Sequence, residues 1–257
     1  MKLQLISDIH LEHLEEDNKN IFDFSKILIP SAPILLMAGD ISTYDCKLLS
    51  LFLLWISERF ENVFWILGNH EFYNTEGLNM TDITIILRRL CPKNILILDN
   101  EHIIIGDVLF IGSTLWSEVP LEYMHKIQRK LNDYKYIYHN DKLINCKDTN
   151  DLYKKSVAYI RETLNKNKNN KLVIITHHAP SIYDTIEPKY RGDKLNYAFA
   201  SNIILENSLD VIWCYGHTHY NVNMNKQKNG YKLISNQYGY EGEHSGCLYR
   251  DDYTFEI

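Results

Sequence analysis

Five short apolar runs in this sequence each end in residues that can bind a metal ion. The ends supply carboxylate, carboxamide and imidazole groups, and the candidate ligands are Asp8, His10, Asp40, Asn69, His177, His217 and His219. This mixture of oxygen and nitrogen donors suits Mn²⁺, Fe or Zn²⁺ better than Ca²⁺ or Mg²⁺, which prefer shells of oxygen alone. So many donors exceed the needs of one ion. They suffice for two if one carboxylate bridges, so we expect two divalent metal ions, with Mn²⁺ as the first choice.

Paired metal ions suggest a particular chemistry. Two ions about 3.5–4 Å apart can hold the attacking and the leaving oxygen of a phosphoryl displacement. The carboxamide of Asn69 is neutral, so it does not change the net charge of the metal centre. Two divalent ions, two aspartates and one bridging hydroxide leave roughly one net positive charge there. A third carboxylate at this position would cancel that charge. The predicted centre should therefore attract a phosphate, and a small phosphorylated substrate is expected.

His70 directly follows the candidate ligand Asn69, so its imidazole should lie beside the metals without binding them. Such an imidazole can protonate the leaving oxygen, which makes His70 a candidate catalytic residue together with Asp40. Candidates for substrate binding are Asn69, His70, His178 and Arg191. The planar guanidinium of Arg191 suits a pair of phosphate oxygens, with an ordinary surface arginine as an equal alternative. Five further histidines are expected to be surface or structural residues, namely His13, His102, His125, His139 and His244.

The five apolar runs are short and bounded by glycine or polar residues, which is typical of buried strands. They cover residues 3–6, 34–37, 63–67, 172–175 and 211–215. In an open α/β sheet the functional crevice lies outside the carboxyl ends of the strands. The five polar ends can therefore converge on one place.

Other segments carry weaker signals. Helices are expected at residues 46–59, 80–91, 121–138, 151–166 and 197–206, and the first of these is so continuously apolar that we expect it to be well covered. Gly106-Asp107 is a candidate hairpin turn between short strands. Residues 183–197 look irregular and long enough to be functional. The C-terminal part, residues 220–257, alternates like antiparallel strands, with a turn at Lys228-Asn229-Gly230.

The composition limits the class of protein. The 257 residues are 45% hydrophobic and 23% charged, which fits one globular α/β domain over residues 1–257 with no dividing linker. A net charge of −6 argues against an indiscriminate nucleic-acid binder but leaves room for a local positive site. The first strand starts so near Met1 that no secretory signal fits, and no membrane segment is evident, so a cytoplasmic protein is expected. The composition leaves the oligomeric state open.

The motifs occur in a specific order: Asp8-x-His10, Gly39-Asp40, Gly68-Asn69-His70-Glu71, Thr176-His177-His178 and Gly216-His217-Thr218-His219. This signature resembles that of the calcineurin-like metallophosphoesterases. The resemblance implies a four-layer α/β/β/α sandwich with mixed sheets and a dinuclear centre at one edge. It also implies the ligand roles: Asp8, His10 and His219 at one metal, Asn69, His177 and His217 at the other, Asp40 as the bridge and His70 as the catalytic acid.

Departures from neighbouring branches narrow this interpretation. Gly39-Asp40 continues as Ile41-Ser42-Thr43, without the Val-Asp-Arg-Gly typical of protein Ser/Thr phosphatases. Thr43 also stands where purple acid phosphatases place a tyrosine ligand. An extended match is similar to a little-characterised branch of small cytosolic phosphohydrolases, and it covers Thr176-His177-His178-Ala179-Pro180-Ser181, Gly192-Asp193-Lys194-Leu195-Asn196 and Asn236-Gln237-Tyr238-Gly239-Tyr240. We therefore expect a phosphomonoester or phosphodiester hydrolase that uses a metal-bridging hydroxide. The alternatives are a nuclease of the same superfamily and a catalytically inactive binding or scaffolding protein on this fold.

Overall fold

The computed structural model describes residues 1–14, 22–205, 210–222, 230–240, 242–243 and 248–257. Its strands are β1 (Lys2–Ile6), β2 (Ile34–Ala38), β3 (Asn62–Ile66), β4 (Ile95–Ile97), β5 (Glu101–Ile105), β6 (Val108–Ser113), β7 (Tyr138–His139), β8 (Lys142–Leu143), β9 (Lys171–Thr176), β10 (Val211–Cys214), β11 (Tyr231–Ile234) and β12 (Thr254–Glu256). Its α-helices are α1 (Lys47–Ser57), α2 (Met80–Leu90), α3 (Leu121–Lys130), α4 (Asp133–Tyr136) and α5 (Cys146–Lys166).

Two five-stranded sheets form the centre of the fold. Sheet A has the order β12-β1-β2-β3-β4, and sheet B has the order β11-β10-β9-β6-β5. Within each sheet four strands are parallel, and one edge strand is antiparallel, β12 against β1 and β5 against β6. The short pair β7 and β8 lies outside both sheets. The predicted hairpin at Gly106-Asp107 is confirmed, since it joins β5 to β6.

The two sheets pack face to face. Alternate residues of their strands form one buried cluster, which includes Leu36 and Phe64 from sheet A and Phe110 and Ile175 from sheet B. The opposite strand faces, such as that of Trp65, share a second cluster with the apolar sides of the helices. Because parallel strands are covered on both faces, they are apolar along their whole length, as all of β2 is. The predicted sandwich with mixed sheets is confirmed.

Two helix predictions were wrong in part. Helix α1 was expected to be well covered, yet Leu51 and Leu54 are 51% and 55% exposed, since only one side of the helix faces the core. Residues 121–138 were expected to be one helix, but helix α3 ends at Lys130 and a separate short helix, α4, begins at Asp133. Leu131 caps α3 in an extended conformation, and this break brings Asp133 to the site described below.

Two C-terminal predictions were also wrong. Residues 197–206 were expected to be a helix, but the described part, up to residue 205, has only a 3₁₀ turn at Lys194–Ala198. The backbone of this segment instead pairs with that of Ala179. Ser201 N donates to Ala179 O, and Ala179 N donates to Phe199 O. Strand β11 is parallel to β10 rather than antiparallel, so only β12 fits the expected pattern. The predicted turn at Lys228-Asn229 lies outside the described residues.

In the part of the chain that the structure describes, no helix is both long enough and apolar enough to cross a membrane.

Candidate metal centre

The five strand ends meet at one edge of the sandwich. Strands β1, β2 and β3 of sheet A end there, and so do β9 and β10 of sheet B. Backbone hydrogen bonds join neighbouring loops within each sheet: Asp8 N donates to Gly39 O at 2.9 Å, and Gly216 N donates to His177 O at 2.9 Å. One bond joins the two sheets, since His217 N donates to the Asp8 carboxylate at 2.8 Å. The loops thus form one connected surface, as the sequence predicted.

Two groups of side chains in this surface can each hold a metal ion. One group is Asp8, His10 and His219, and the other is Asp40, His177 and His217, with ligand atoms in each group within 4.8 Å of one another. Asp40 lies between them. Its Oδ1 is 3.3 Å from His177 Nε2, and its Oδ2 is 3.9 Å from His10 Nε2. This position suits a bridging carboxylate.

The lone pairs of the second group point at one another. His177 Nδ1 donates to Ala38 O at 2.9 Å, which leaves a lone pair on Nε2 in the neutral ring. That Nε2 atom faces Asn69 Oδ1 at 2.9 Å and His217 Nδ1 at 3.1 Å. The amide of Asn69 is held in this orientation because its Nδ2 donates to Asp133 at 2.9 Å. Acceptors that converge in this way need a cation between them, so these side chains fit a metal ion.

The first group is arranged similarly. His10 Nε2 and His219 Nε2 are 3.2 Å apart, and His219 Nε2 is 3.4 Å from Asp8 Oδ1. The other oxygen of Asp8, Oδ2, is buried and has no hydrogen-bond partner among the described residues. Glu243 accepts a hydrogen bond from His219 Nδ1 at 2.5 Å, so that Nε2 is directed inward. This carboxylate partner is typical of metal-binding histidines.

Backbone strain is concentrated at the candidate ligands. Five of them have left-handed backbones that only glycine adopts freely, with φ between 48° and 71°: Asp8, His10, Asp40, His217 and His219. A residue held in this region costs of the order of 1–3 kcal/mol, and such residues cluster at functional sites. The surrounding structure therefore stabilises ligand positions that these residues would not adopt by themselves.

Two glycines allow the ligands to approach the backbone. A Cβ atom at Gly68 would lie 2.1 Å from Asp40 Oδ1, and one at Gly39 would lie 2.4 Å from His177 Nδ1. Both distances are too short for any side chain. The glycines of the Gly39-Asp40 and Gly68-Asn69 motifs are therefore required by close packing around the centre.

The charges of the two groups favour bound cations. Burial alone would lower the pKa of His177, but the Asp40 carboxylate outweighs burial and raises this pKa to about 9. Burial likewise opposes protonation of His219, yet its hydrogen bond to Asp8 helps raise its pKa to about 10. For His217, burial and the neighbouring His178 and His177 outweigh the Asp40 carboxylate and lower its pKa well below the usual range. Protons and divalent cations compete for the same lone pairs, so each group attracts positive charge.

His70 belongs to neither of these two groups, although it forms a third group of possible metal ligands with His10, Glu12 and His13. Its backbone N–H donates to Asp40 Oδ1 at 2.9 Å, and its ring Nδ1 is 2.9 Å from Glu12 Oε1. Ring Nε2 is 3.1 Å from the Tyr240 hydroxyl. Burial lowers the pKa of His70, but the Asp40 and Glu12 carboxylates outweigh it, and the net shift is upward. Its ring can thus carry a proton at the edge of the centre.

A buried carboxylate fastens two of the loops. Glu71 is fully buried and accepts backbone N–H groups from Gly68 at 2.6 Å, Ile41 at 2.7 Å and Asp40 at 3.0 Å. These donors belong to the loops after β2 and β3. Glu71 therefore sets the distance between Asp40 and the Asn69-His70 segment.

The remaining candidates lie in different environments. His178 is fully buried, its ring centroid lies 4.2 Å from that of His217, and burial lowers its pKa to about 3. Arg191 is exposed and follows a 3₁₀ turn, Pro188–Tyr190. Substrate binding by His178 and Arg191 stays a prediction. His13 was expected outside the site, and its side chain is 57% exposed, but its ring centroid lies 5.9 Å from that of His10.

The sequence predicted no role in the site for four residues that contact the candidate ligands or His70, namely Glu12, Asp133, Tyr240 and Glu243. Glu12 is only two residues beyond His10, so its position in the sequence could have suggested a place near the centre. Asp133 accepts hydrogen bonds from Asn69 and, at 2.6 Å, from the Tyr73 hydroxyl. It acts from a helix distant in sequence, which no local pattern connects to the centre.

The chain matches a known protein family over most of its length. The family model of calcineurin-like phosphoesterases matches residues 1–221. An uncharacterized protein of Acanthamoeba polyphaga mimivirus is 34% identical over 262 residues, which cover 94% of this chain and 92% of the relative. A solved structure of a putative 5'-nucleotidase from Staphylococcus aureus, in complex with alpha-ketoglutarate, is 14% identical with a TM-score of 0.45. The match covers 91% of this chain and 48% of that one, so this chain spans about half its length. The chain belongs to the calcineurin-like phosphoesterase family.

Proposed function

We propose that this chain is a phosphohydrolase that cleaves a phosphomonoester or a phosphodiester with two divalent metal ions. Mn²⁺ is the ion that we expect first. One observation carries the proposal: two groups of possible metal ligands lie on either side of the Asp40 carboxylate, and the His70 imidazole, which is in neither of these two groups, lies beside them. The proposed ligands are Asp8, His10 and His219 for one ion and Asn69, His177 and His217 for the other, with Asp40 between them.

Divalent ions at these positions would supply a hydroxide nucleophile at neutral pH and positive charge opposite the phosphate. The protein supplies orientation. Asp40 is held by the backbone N–H of His70, and His177 by the carbonyl of Ala38, so both face the centre before any substrate arrives. Preorganised groups of this kind need no rearrangement during the reaction.

His70 is proposed to protonate the leaving oxygen. Glu12 accepts from Nδ1, which leaves Nε2 as the atom that can give up a proton. The Tyr240 hydroxyl, 3.1 Å from Nε2, marks a place where an oxygen atom stands at hydrogen-bond distance from this nitrogen. A leaving oxygen that approaches Nε2 beside this hydroxyl must reach a similar distance, about 2.6–3.2 Å, for general acid catalysis.

Metal content and turnover measured on the same preparation test the proposal. Protein stripped with a chelator and reloaded with Mn²⁺ should bind two ions per chain and hydrolyse nitrophenyl phosphate or bis(nitrophenyl) phosphate. The ratio of these two rates separates a monoesterase from a diesterase. Single-stranded DNA in the same panel tests for nuclease activity. Two bound ions without turnover of any of these esters would contradict the proposal and favour a binding protein.

A matched pair of variants completes the test. Asp40→Ala removes the shared carboxylate, whereas Asp107→Ala removes a carboxylate whose side chain is 68% exposed in the β5–β6 turn. We expect metal and activity to be lost only in the first variant. Equal behaviour of the two variants would show that the activity does not come from this centre.

A further inference from the structure

A cleft of about 950 Å³ opens directly beside the candidate metal centre. Two of the proposed ligands, His10 and His219, form part of its wall, so a phosphate held at the centre would direct the rest of its molecule into this space. Clefts of about 300–1,000 Å³ are the usual size for small-molecule sites. The chemistry of the remaining wall therefore bears on which substrates fit.

Much of that wall is apolar and aromatic. It includes Leu14, Leu248, Tyr238, Tyr240 and Tyr249. The rings of Tyr238 and Tyr249 meet edge to face with centroids 5.1 Å apart, and the Tyr249 hydroxyl donates to Ile27 O at 2.5 Å. The ring of Tyr240 lies 4.7 Å from that of His219. These contacts fix the aromatic surfaces in place, so that a flat apolar group can pack on them without ordering the side chains first.

The polar groups in the wall are engaged with the protein itself. Gln237 Oε1 accepts from His219 N at 2.7 Å, and its Nε2 donates to Tyr220 O at 3.1 Å. Asn221 donates to Gln237 O at 2.9 Å and accepts from Gln237 N at 2.7 Å. Both amides therefore brace the loop that carries His219. Recognition in the cleft depends on shape and apolar contact more than on these amides.

The charges of the wall also favour an uncharged group in the cleft. Among the described residues that line the cleft there is no lysine or arginine, and Glu243 adds a carboxylate whose side chain is 47% exposed. Glu12 brings a second carboxylate close by, with its Oε1 3.2 Å from His10 Nδ1. A second phosphate in the cleft would face these carboxylates, and no lysine or arginine among the described wall residues would offset the repulsion.

We infer that the cleft binds the alcohol side of the substrate and selects phosphate esters whose alcohol is uncharged and carries a planar ring. This inference rests on the proposed function and narrows its substrate class. A ring would pack on the tyrosines while the single phosphate occupies the metal centre. Esters with a second phosphate are disfavoured.

Three esters with similar primary alcohols test this selection in the Mn²⁺-loaded protein: phenylpropyl phosphate, propyl phosphate and propanediyl bisphosphate. Stacking on an aromatic side chain is worth about 1–3 kcal/mol, so kcat/KM for the phenylpropyl ester should exceed that for the propyl ester by about 5- to 150-fold. The bisphosphate should be no better than the propyl ester. A bisphosphate preference, or no gain from the ring, would overturn the inference while leaving the hydrolase intact.

Binding without turnover separates this inference from the proposed function. Titration calorimetry with phenylpropyl phosphonate and propyl phosphonate, which are not cleaved, should show the same preference for the ring. Failure of all esters to react would defeat the proposed function, and the phosphonates would still decide the selectivity of the cleft. Equal phosphonate affinities would contradict the inference.

A charge variant makes the test specific to this wall. Leu248 is 70% exposed, so Leu248→Lys should fold normally and place a cation at the cleft. The preference for propyl ester over bisphosphate should then shift toward the bisphosphate by about 3- to 10-fold. Leu54→Lys, at a 55% exposed position of α1, is the control and should change nothing. An identical response of both variants would contradict the assignment.

Discussion

Glu12 offers a sharp test of how the centre is oriented, because one carboxylate oxygen serves two histidines. Its Oε1 lies 2.9 Å from His70 Nδ1 and 3.2 Å from His10 Nδ1, while Oε2 accepts from Thr43 N at 3.3 Å. In Glu12→Gln the amide retains one oxygen but no charge. If that oxygen faces the histidines, the new NH₂ group opposes the Thr43 N–H.

The size of the effect follows from these contacts. Hydrogen bonds to a charged group contribute about 1.5–3 kcal/mol and neutral ones about 0.5–1.5, so each histidine loses about 1–1.5 kcal/mol. Since 1.36 kcal/mol is a factor of ten, the His10 bond corresponds to about tenfold weaker metal binding. The His70 bond corresponds to about tenfold slower protonation of an alkoxide leaving group. Both values agree with the 10- to 100-fold losses typical of residues that orient metal ligands.

The assay combines a Mn²⁺ titration with rates at saturating metal for an alkyl phosphate and for nitrophenyl phosphate. We expect Glu12→Gln to weaken metal binding and to slow the alkyl ester more than the nitrophenyl ester, whose leaving group needs no proton. Glu58→Gln, at a side chain 64% exposed, is the matched control. Unchanged metal affinity and unchanged rates would refute the reasoning. A lower melting temperature with equal losses on both esters would assign Glu12 a purely structural role.

Three further predictions concern the centre itself. Asp40→Ala should lose both metal ions and nearly all activity, and Mn²⁺ should restore chelated wild-type protein at least as well as Mg²⁺; full metal occupancy in this variant would exclude the bridge. His70→Asn should keep its metals and lose about 10²–10⁴-fold on an alkyl phosphate but distinctly less on nitrophenyl phosphate, whereas equal losses would mean that His70 positions the substrate. Arg191→Ala should raise KM without changing metal content, and an unchanged KM across several esters would make Arg191 an ordinary surface residue.

The sequence was sufficient to locate the strands that carry the centre. Apolar runs that stop at glycine and polar residues are local signals, and all five predicted strands lie within a residue or two of the observed ones, from β1 (Lys2–Ile6) to β10 (Val211–Cys214). The chemistry of the candidate ligands was also readable, because ligand type depends only on residue identity. Convergence of the strand ends followed from the general behaviour of parallel strands.

Helix ends and the C-terminal strands were harder to predict. The end of α3 and the non-helical course of residues 199–205 depend on tertiary contacts that outweigh local propensity. The direction of β11 depends on the path of the chain after the Gly216 loop, about which hydrophobic alternation carries no information.

Only the tertiary structure decided how the ligands are aimed. The contacts that orient them join residues far apart in sequence: 58 positions between Glu12 and His70, 64 between Asn69 and Asp133, and 170 between His70 and Tyr240. The left-handed backbones of the ligands likewise depend on the surrounding structure, since such φ angles are uncommon for any residue other than glycine. A local pattern specifies which side chains reach the edge of the sandwich. The direction in which each lone pair points depends on hydrogen-bond partners that only the folded chain brings near.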